Sequence, residues 1–114
     1  MTMIYYGGRL FSPVSTQGAS ETSSATVFKY EQTGNMVIAT YSGGDIQFGH
    51  LLGTVNKDGS LDFRYHHRNK NNELMAGLCH TEPEVLDNGK LRLHETWQWT
   101  SGDKTHGTSI LEEI

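Results

Sequence analysis

Apolar and polar residues alternate along two stretches of the chain, residues 61–68 and 91–99. Successive side chains of a β-strand point to opposite faces, so each stretch is predicted to be a strand with one apolar and one polar face. Residues 4–11 are predicted to form another strand. Five further stretches are rich in residues that favour strands, at 27–30, 36–41, 46–55, 74–79 and 108–111.

Turn signals built on Gly or Asn separate most of these stretches, and they tolerate the positive φ angles of tight hairpins. They lie at residues 32–35, 42–45, 57–60, 69–72, 87–90 and 101–104. No ten-residue segment has the apolar spacing of an amphipathic helix. The sequence therefore predicts an all-β, eight-stranded antiparallel fold. We expect it to close into an up-and-down barrel, because closure leaves no sheet edge exposed.

Two features depart from this regular pattern. Gly49 and Gly53 lie inside the longest predicted strand, where glycine weakens pairing, and they indicate a bulge or a sharp bend at a barrel corner. Residues 12–26 are rich in Ser, Thr, Gln and Gly and have almost no apolar content. We predict that they form a mobile loop within a single domain spanning residues 1–114.

The charge balance limits the partners that we expect. The 114 residues carry a net charge of −4 with neither sign clustered, so the chain has no basic stripe for nucleic acid. No apolar run approaches the roughly 20 residues of a membrane-spanning helix. Residues 1–9 lack the pattern of a signal peptide. We therefore expect a cytoplasmic protein that contacts neither nucleic acid nor membrane and needs no cofactor.

The sequence offers little support for a metal site or a cysteine nucleophile. His66 and His67 are adjacent on one predicted strand and so point to opposite faces, and no histidine pair has the spacing of a known metal motif. Cys79 is the single cysteine and has no catalytic signature around it. We expect no metal and an inert, packed thiol.

Glu95 is the most informative polar residue, because it lies in the middle of the apolar face of residues 91–99. Burying an ionised carboxylate without partners costs several kcal/mol. The side chain could contact a ligand or act as an acid or base. Alternatively, it could be a structural anchor held by Tyr, His or Arg donors on neighbouring strands. Other side chains are expected to face the same interior and to bind a ligand with Glu95, namely Tyr41, Tyr65, His67, Trp97 and Trp99.

Several motifs together resemble a family of small, mostly bacterial proteins with a calycin-like (lipocalin-like) β-barrel. They are Tyr41-Ser42-Gly43-Gly44, Gly49-His50-Leu51-Leu52-Gly53, the blocks at 58–65 and 73–79 and, most specifically, the block at 91–103. The resemblance implies a calycin-like barrel but carries no established activity. Members often bear the label N-acetylglutamate synthase. The residues do not support that label, because acetyl-CoA enzymes usually hold pyrophosphate at a helix N-terminus and no helix is predicted here.

Three functions are compatible with these patterns. The favoured one is a module that binds a small, partly apolar molecule in the mouth of the barrel. A second is a small enzyme that uses Glu95 with a nearby His or Tyr as an acid/base pair. A third is a filled barrel that acts only through an oligomeric surface, for which a homodimer is the simplest form. An empty lumen of roughly 300 Å³ or more would allow a ligand and a filled lumen would not, whereas a raised pKa at Glu95 with a partner in reach would favour the enzyme.

Overall fold

The computed structural model describes residues 4–114, and they form one closed antiparallel barrel of eight strands. Each strand pairs with the next along the chain, and the last pairs with the first. The predicted up-and-down barrel is confirmed. The strands are β1 (Leu10–Gln17), β2 (Val27–Thr33), β3 (Met36–Gly43), β4 (Ile46–Val55), β5 (Leu61–Asn69), β6 (Leu74–Val85), β7 (Leu91–Trp99) and β8 (His106–Glu113).

Strand β7 shows why the barrel has a defined inside. Its five odd-numbered residues are buried, including Glu95, and its even-numbered residues are partly or fully exposed. A shift of one residue in the pairing would bury the polar set and expose both tryptophans, so the alternation determines the register. Strand β5 follows the same rule, with His67 buried and His66 exposed, as expected for neighbours on a strand.

The first strand does not lie where the sequence predicted it. Residues 10–17 form β1, so the prediction of a strand at 4–11 is wrong, and so is the loop assignment for residues 12–17. Only Phe11 and Pro13 of this strand are buried, and most of its hydrogen-bonded partners are in β8. Because backbone pairing needs no apolar side chains, the polar sequence gave no periodic signal. Of the predicted loop, residues 18–26 do lie outside the strands.

Residues 4–9 close one end of the barrel. The Tyr6 side chain is fully buried, and its hydroxyl donates a hydrogen bond to the backbone oxygen of Gly59. The Tyr6 backbone N–H donates to the Gln32 side chain at 2.8 Å. Tyr6 joins a dense group of fully buried side chains at this end, including Phe11, Tyr30, Leu61, Leu93 and Leu111. This end is therefore packed with side chains, and we call the opposite end the mouth.

Two further predictions about strands need correction. Strand β6 continues past Cys79 to Val85, because its last residues pair with β7 alone, beyond the start of β5. Pro83 is tolerated there because one side of the strand has no partner that needs its backbone N–H. Gly53 marks no bulge, since it pairs regularly with β3 and β5. Gly49 does border an irregularity, because the pairing with β3 shifts between Gly49 and Ile46 and the pairing with β5 shifts between Phe48 and Ile46.

Within residues 4–114, no helix is long and apolar enough to cross a membrane.

Candidate functional site

A cavity of about 50 Å³ lies inside the barrel beneath the mouth. Most of its lining is aromatic or apolar, and the polar exceptions include two glutamates. A segment between β1 and β2, residues 18–26, covers it, and we call this segment the strap. The lining residues are Ser20, Glu21, Thr22, Phe28, Tyr41, Leu51, Phe63, Tyr65, His67, Cys79, Glu95, Trp97, Trp99 and Ser109.

Glu95 enters the cavity between two hydroxyl-bearing neighbours. The pairing of β7 places Thr81 of β6 on one side of it and Ser109 of β8 on the other, and both are buried. The Thr81 hydroxyl donates to Glu95 Oε2 over a long 3.4 Å. The Ser109 oxygen accepts a hydrogen bond from Trp97 Nε1 at 2.9 Å. Glu95 is only 8% exposed, so it is a buried carboxyl group with one weak donor.

The Tyr, His or Arg donors that a structural anchor would need are not bonded to Glu95 in the described part of the chain. Among residues 4–114, Thr81 alone makes a hydrogen bond to its side chain. Burial therefore dominates and raises the pKa of Glu95 to about 8, and the Thr81 hydrogen bond only partly opposes it. At neutral pH the group is an uncharged carboxylic acid. The hydroxyl of Tyr30, which is fully buried, has no hydrogen-bond partner in the described part of the chain.

Three other side chains form a hydrogen-bonded chain from β3 to the strap. Tyr41 and His67 Nδ1 lie 2.9 Å apart, and His67 Nε2 lies 2.8 Å from Glu21 Oε1. A neutral imidazole with its proton on Nε2 satisfies both contacts, because Nδ1 then accepts from Tyr41 and Nε2 donates to Glu21. Burial lowers the pKa of His67, against the opposing effect of Glu21. Asn69 donates to the other Glu21 oxygen at 3.0 Å.

Gly49 makes the contact between Tyr41 and His67 feasible. It lies on β4 directly between them, paired with Tyr41 on one side and with His67 on the other. A Cβ atom at this position would lie 2.5 Å from the Cβ of His67 and 2.6 Å from the Tyr41 ring. The absence of a side chain therefore lets two residues on non-adjacent strands meet, which is one purpose of glycine within a strand.

The strap is held over the mouth by a small number of polar contacts. Besides the bonds of Glu21, Trp99 Nε1 donates to the backbone oxygen of Ala19 at 3.1 Å. At the other end of the strap the buried Thr26 hydroxyl donates to the Gly43 oxygen at 3.0 Å. The strap has only two apolar side chains, Ala19 and Ala25, so we infer that its closure depends mainly on these hydrogen bonds.

All six residues that the sequence singled out line this one cavity, namely Tyr41, Tyr65, His67, Glu95, Trp97 and Trp99. Their role in ligand binding stays a prediction. Glu21 was not among the predicted site residues, because the sequence predicts a mobile loop at residues 12–26. One signal was present, since Glu21 is the only charged residue in that range. Cys79 is buried and lines the cavity, and burial raises the pKa of its thiol, as expected for a packed cysteine.

The chemistry available in the cavity is therefore that of a mostly aromatic pocket around a carboxylic acid. Its volume is well below the roughly 300 Å³ of a typical ligand site. A water molecule needs about 10–15 Å³ by the same measure, so the closed cavity has room for a few waters or one small group. Residues 4–114 contain no cluster of side chains suited to hold a metal ion.

A family model described as avidin-like protein matches residues 4–114. The match agrees with the closed eight-stranded barrel and with its calycin-like character. Comparison with curated proteins gives no match, and neither does comparison with solved structures.

Proposed function

The chain belongs to the avidin-like protein family, and we propose that it binds a small, partly apolar molecule in the cavity beneath the strap. Barrels of this family bind small ligands, which supports binding as the general function. The observation that carries the proposal is the cavity itself. Aromatic side chains surround Glu95, a buried polar group with one weak hydrogen bond, and packing alone does not account for such a group.

The size of the cavity constrains how a ligand would enter. The closed form, at about 50 Å³, accepts only a small group. Three strap residues form part of the lining, so movement of the strap would open the cavity to solvent and extend it. The strap is held largely by the bonds of Glu21 and Ala19, which can break without disturbing the strands. We infer that the ligand enters at the mouth when the strap moves.

The two alternatives have weaker support. The raised pKa of Glu95 supports the alternative that the protein is an enzyme. That alternative also needs a His or Tyr side chain hydrogen-bonded to the Glu95 carboxyl group. His67 and Tyr41 are instead bonded to each other, and His67 to Glu21. The small volume of the cavity supports the other alternative, a filled barrel that acts only through an oligomeric surface. A filled barrel does not explain why a carboxyl group is buried there with so little hydrogen bonding.

We also propose that the chain forms a homodimer through the outer face of β3 and β4. Members of the avidin-like family often form oligomers. Met36, Ile38 and Leu52 lie on this face and are 42%, 40% and 54% exposed, and Ile38 is paired directly with Leu52. Removing such adjacent apolar side chains from water would favour association.

Native mass spectrometry of the purified protein, together with tryptophan fluorescence during titration with small molecules, tests the binding proposal. We expect a retained or added ligand to change the emission of Trp97 and Trp99, which line the cavity. A Ser109→Val variant adds bulk inside the cavity and should weaken binding. Ser15→Val makes the same change at an exposed position of β1 and should leave binding unchanged. Equal binding by both variants would show that the ligand binds outside this cavity. Failure to detect any bound ligand in these experiments would contradict the proposal.

A further inference from the structure

The cavity contains acidic groups and no fixed positive charge. Its lining includes Glu21 and Glu95 but neither Lys nor Arg. The one histidine, His67, is held neutral by burial, which lowers its pKa. Glu21 has two donors, His67 and Asn69, whereas Glu95 has the weak Thr81 contact alone. The deeper carboxyl group is therefore the one without a charge partner.

The groups around Glu95 are those that attract a cation. The rings of Trp97 and Trp99 lie 5.9 Å apart at 61°, and Tyr65 meets Trp99 at 5.7 Å in an edge-on arrangement. Phe28 stacks on Tyr41 with centroids 4.5 Å apart on the other side of the lining. The faces of aromatic rings carry negative potential, and they bind ammonium groups most strongly where water is excluded. A protonated Glu95 can hydrogen-bond to a neutral ligand, whereas a cation would in addition stabilise the ionised form of Glu95.

We propose that the ligand is a small organic cation of the alkylammonium type, bound among the aromatic rings with Glu95 as its counterion. This inference rests on the proposed binding function and specifies the chemical class of its ligand. The cation supplies the charge partner that the protein lacks at Glu95. It also makes the ionised form of Glu95, which the protein otherwise avoids by keeping the proton, half of a buried ion pair.

Binding of this kind must release a proton. Without a bound cation, Glu95 is protonated at neutral pH, since burial raises its pKa to about 8. A bound cation favours the carboxylate, so the Glu95 proton leaves to solvent as the cation enters. The other titratable neighbours do not compete near neutral pH. Burial raises the pKa values of Cys79, Tyr30, Tyr41 and Tyr65.

Isothermal titration calorimetry tests the proposal with three probes, methylammonium, trimethylammonium and choline, of which the two larger need the strap to move from the closed cavity. The control ligand is 3,3-dimethylbutanol, which has nearly the shape of choline but no charge. Between pH 6 and 8 we expect the affinity for a cation to rise by up to about tenfold per pH unit and then to level off. Titrations in buffers with different ionisation enthalpies should show about one proton released per cation at pH 7. The uncharged alcohol should show neither effect.

Glu95→Gln keeps the shape of the side chain and removes its charge. We expect it to lose at least about tenfold in cation affinity, since a desolvated charge pair is worth well over 1.4 kcal/mol. Glu31→Gln makes the same change on the exposed face of β2 and should bind as the wild type does. Equal affinity for choline and the alcohol, pH-independent cation binding, or no binding of any cation would overturn the proposal. If neutral molecules still bind, the proposed binding function holds and only the cationic class of the ligand is wrong. If no molecule binds, both the binding function and the ligand class are contradicted.

Discussion

Glu95 keeps its proton at neutral pH because the barrel gives its charged form almost nothing to interact with. The unfolded chain releases this proton near the ordinary pKa of 4.5, whereas the folded chain holds it until about pH 8. Between these values the native state binds more protons than the unfolded state. Stability due to this residue therefore falls as the pH rises, which is the reverse of a salt-bridged carboxylate.

Replacing Glu95 with Gln should remove this pH dependence. Relative to the variant, we expect the wild type to lose on the order of 4 kcal/mol of unfolding free energy between pH 5 and pH 8.5, because each pKa unit is worth about 1.4 kcal/mol. Urea denaturation of both proteins at both pH values measures the difference, and contributions from His67 cancel in it. Glu31→Gln should follow the wild type. Parallel pH profiles for the wild type and Glu95→Gln would show that the Glu95 carboxyl is not buried as described.

Gly49→Ala should damage the site through packing alone. The new methyl group would overlap the Tyr41 ring and the Cβ of His67. We expect a loss of about 1–3 kcal/mol in unfolding free energy, which is the usual cost of overpacking a core. Chemical denaturation measures it, and the NMR signals of the His67 ring should shift as its bond to Tyr41 opens. His50→Ala, on the exposed face of the same strand, should cost less than about 0.5 kcal/mol. Similar losses from both variants would show that Gly49 has no special role.

At the scale of elements, the strap is the least firmly packed part of the site. It bonds to the ends of β5 and β7 through Glu21 and Ala19, and it begins at Gly18, whose positive φ of 97° favours glycine. Elements with few apolar contacts open locally at low free-energy cost. The strap can therefore move while the eight strands stay paired.

Glu21→Ala should loosen the strap without unfolding the barrel. Losing its bonds to His67 and Asn69 should cost about 1–2 kcal/mol at most. We expect faster hydrogen exchange in residues 18–26 and stronger acrylamide quenching of Trp97 and Trp99, which are now almost fully buried. Glu73→Ala is the matched control, since Glu73 also accepts from Asn69 but lies outside the cavity lining. If quenching rises equally in both variants, Glu21 does not hold the strap closed.

At the scale of the whole molecule, closure of the barrel gives its two ends different properties. One end is filled by Tyr6 and large apolar side chains, and the other holds the cavity beneath the strap. Closure also gives every strand a partner on each side, so association through a free sheet edge is not available. Contact between copies must then use side chains on the outer surface.

The proposed homodimer predicts that the protein sediments above its monomer mass of 12.7 kDa. Leu52→Lys places a charge in the middle of the apolar face of β3 and β4 and should shift the protein to monomer. Leu74→Lys makes the same change at a more exposed leucine of β6, away from that face, and should leave the mass unchanged. Analytical ultracentrifugation distinguishes these outcomes. A monomeric wild type, or a dimer unaffected by Leu52→Lys, would contradict the proposed interface.

The sequence alone determined the strand content, the closed barrel and the inward direction of Glu95, Trp97 and Trp99. It could do so because the direction of a side chain along a strand follows from local backbone geometry, and alternation records it directly. The same rule failed for β1, whose polar residues pair through the backbone and leave no periodic pattern.

Tertiary structure decided everything that depends on distances between residues far apart in the chain. The contact of Glu21 with His67 spans 46 positions, and that of Ala19 with Trp99 spans 80. The single weak donor at Glu95, and hence its raised pKa, follows from which residues β6 and β8 place beside it. Cavity volume and burial depend on how all eight strands pack together. No local pattern in the chain encodes them, because each is a property of the closed barrel as a whole.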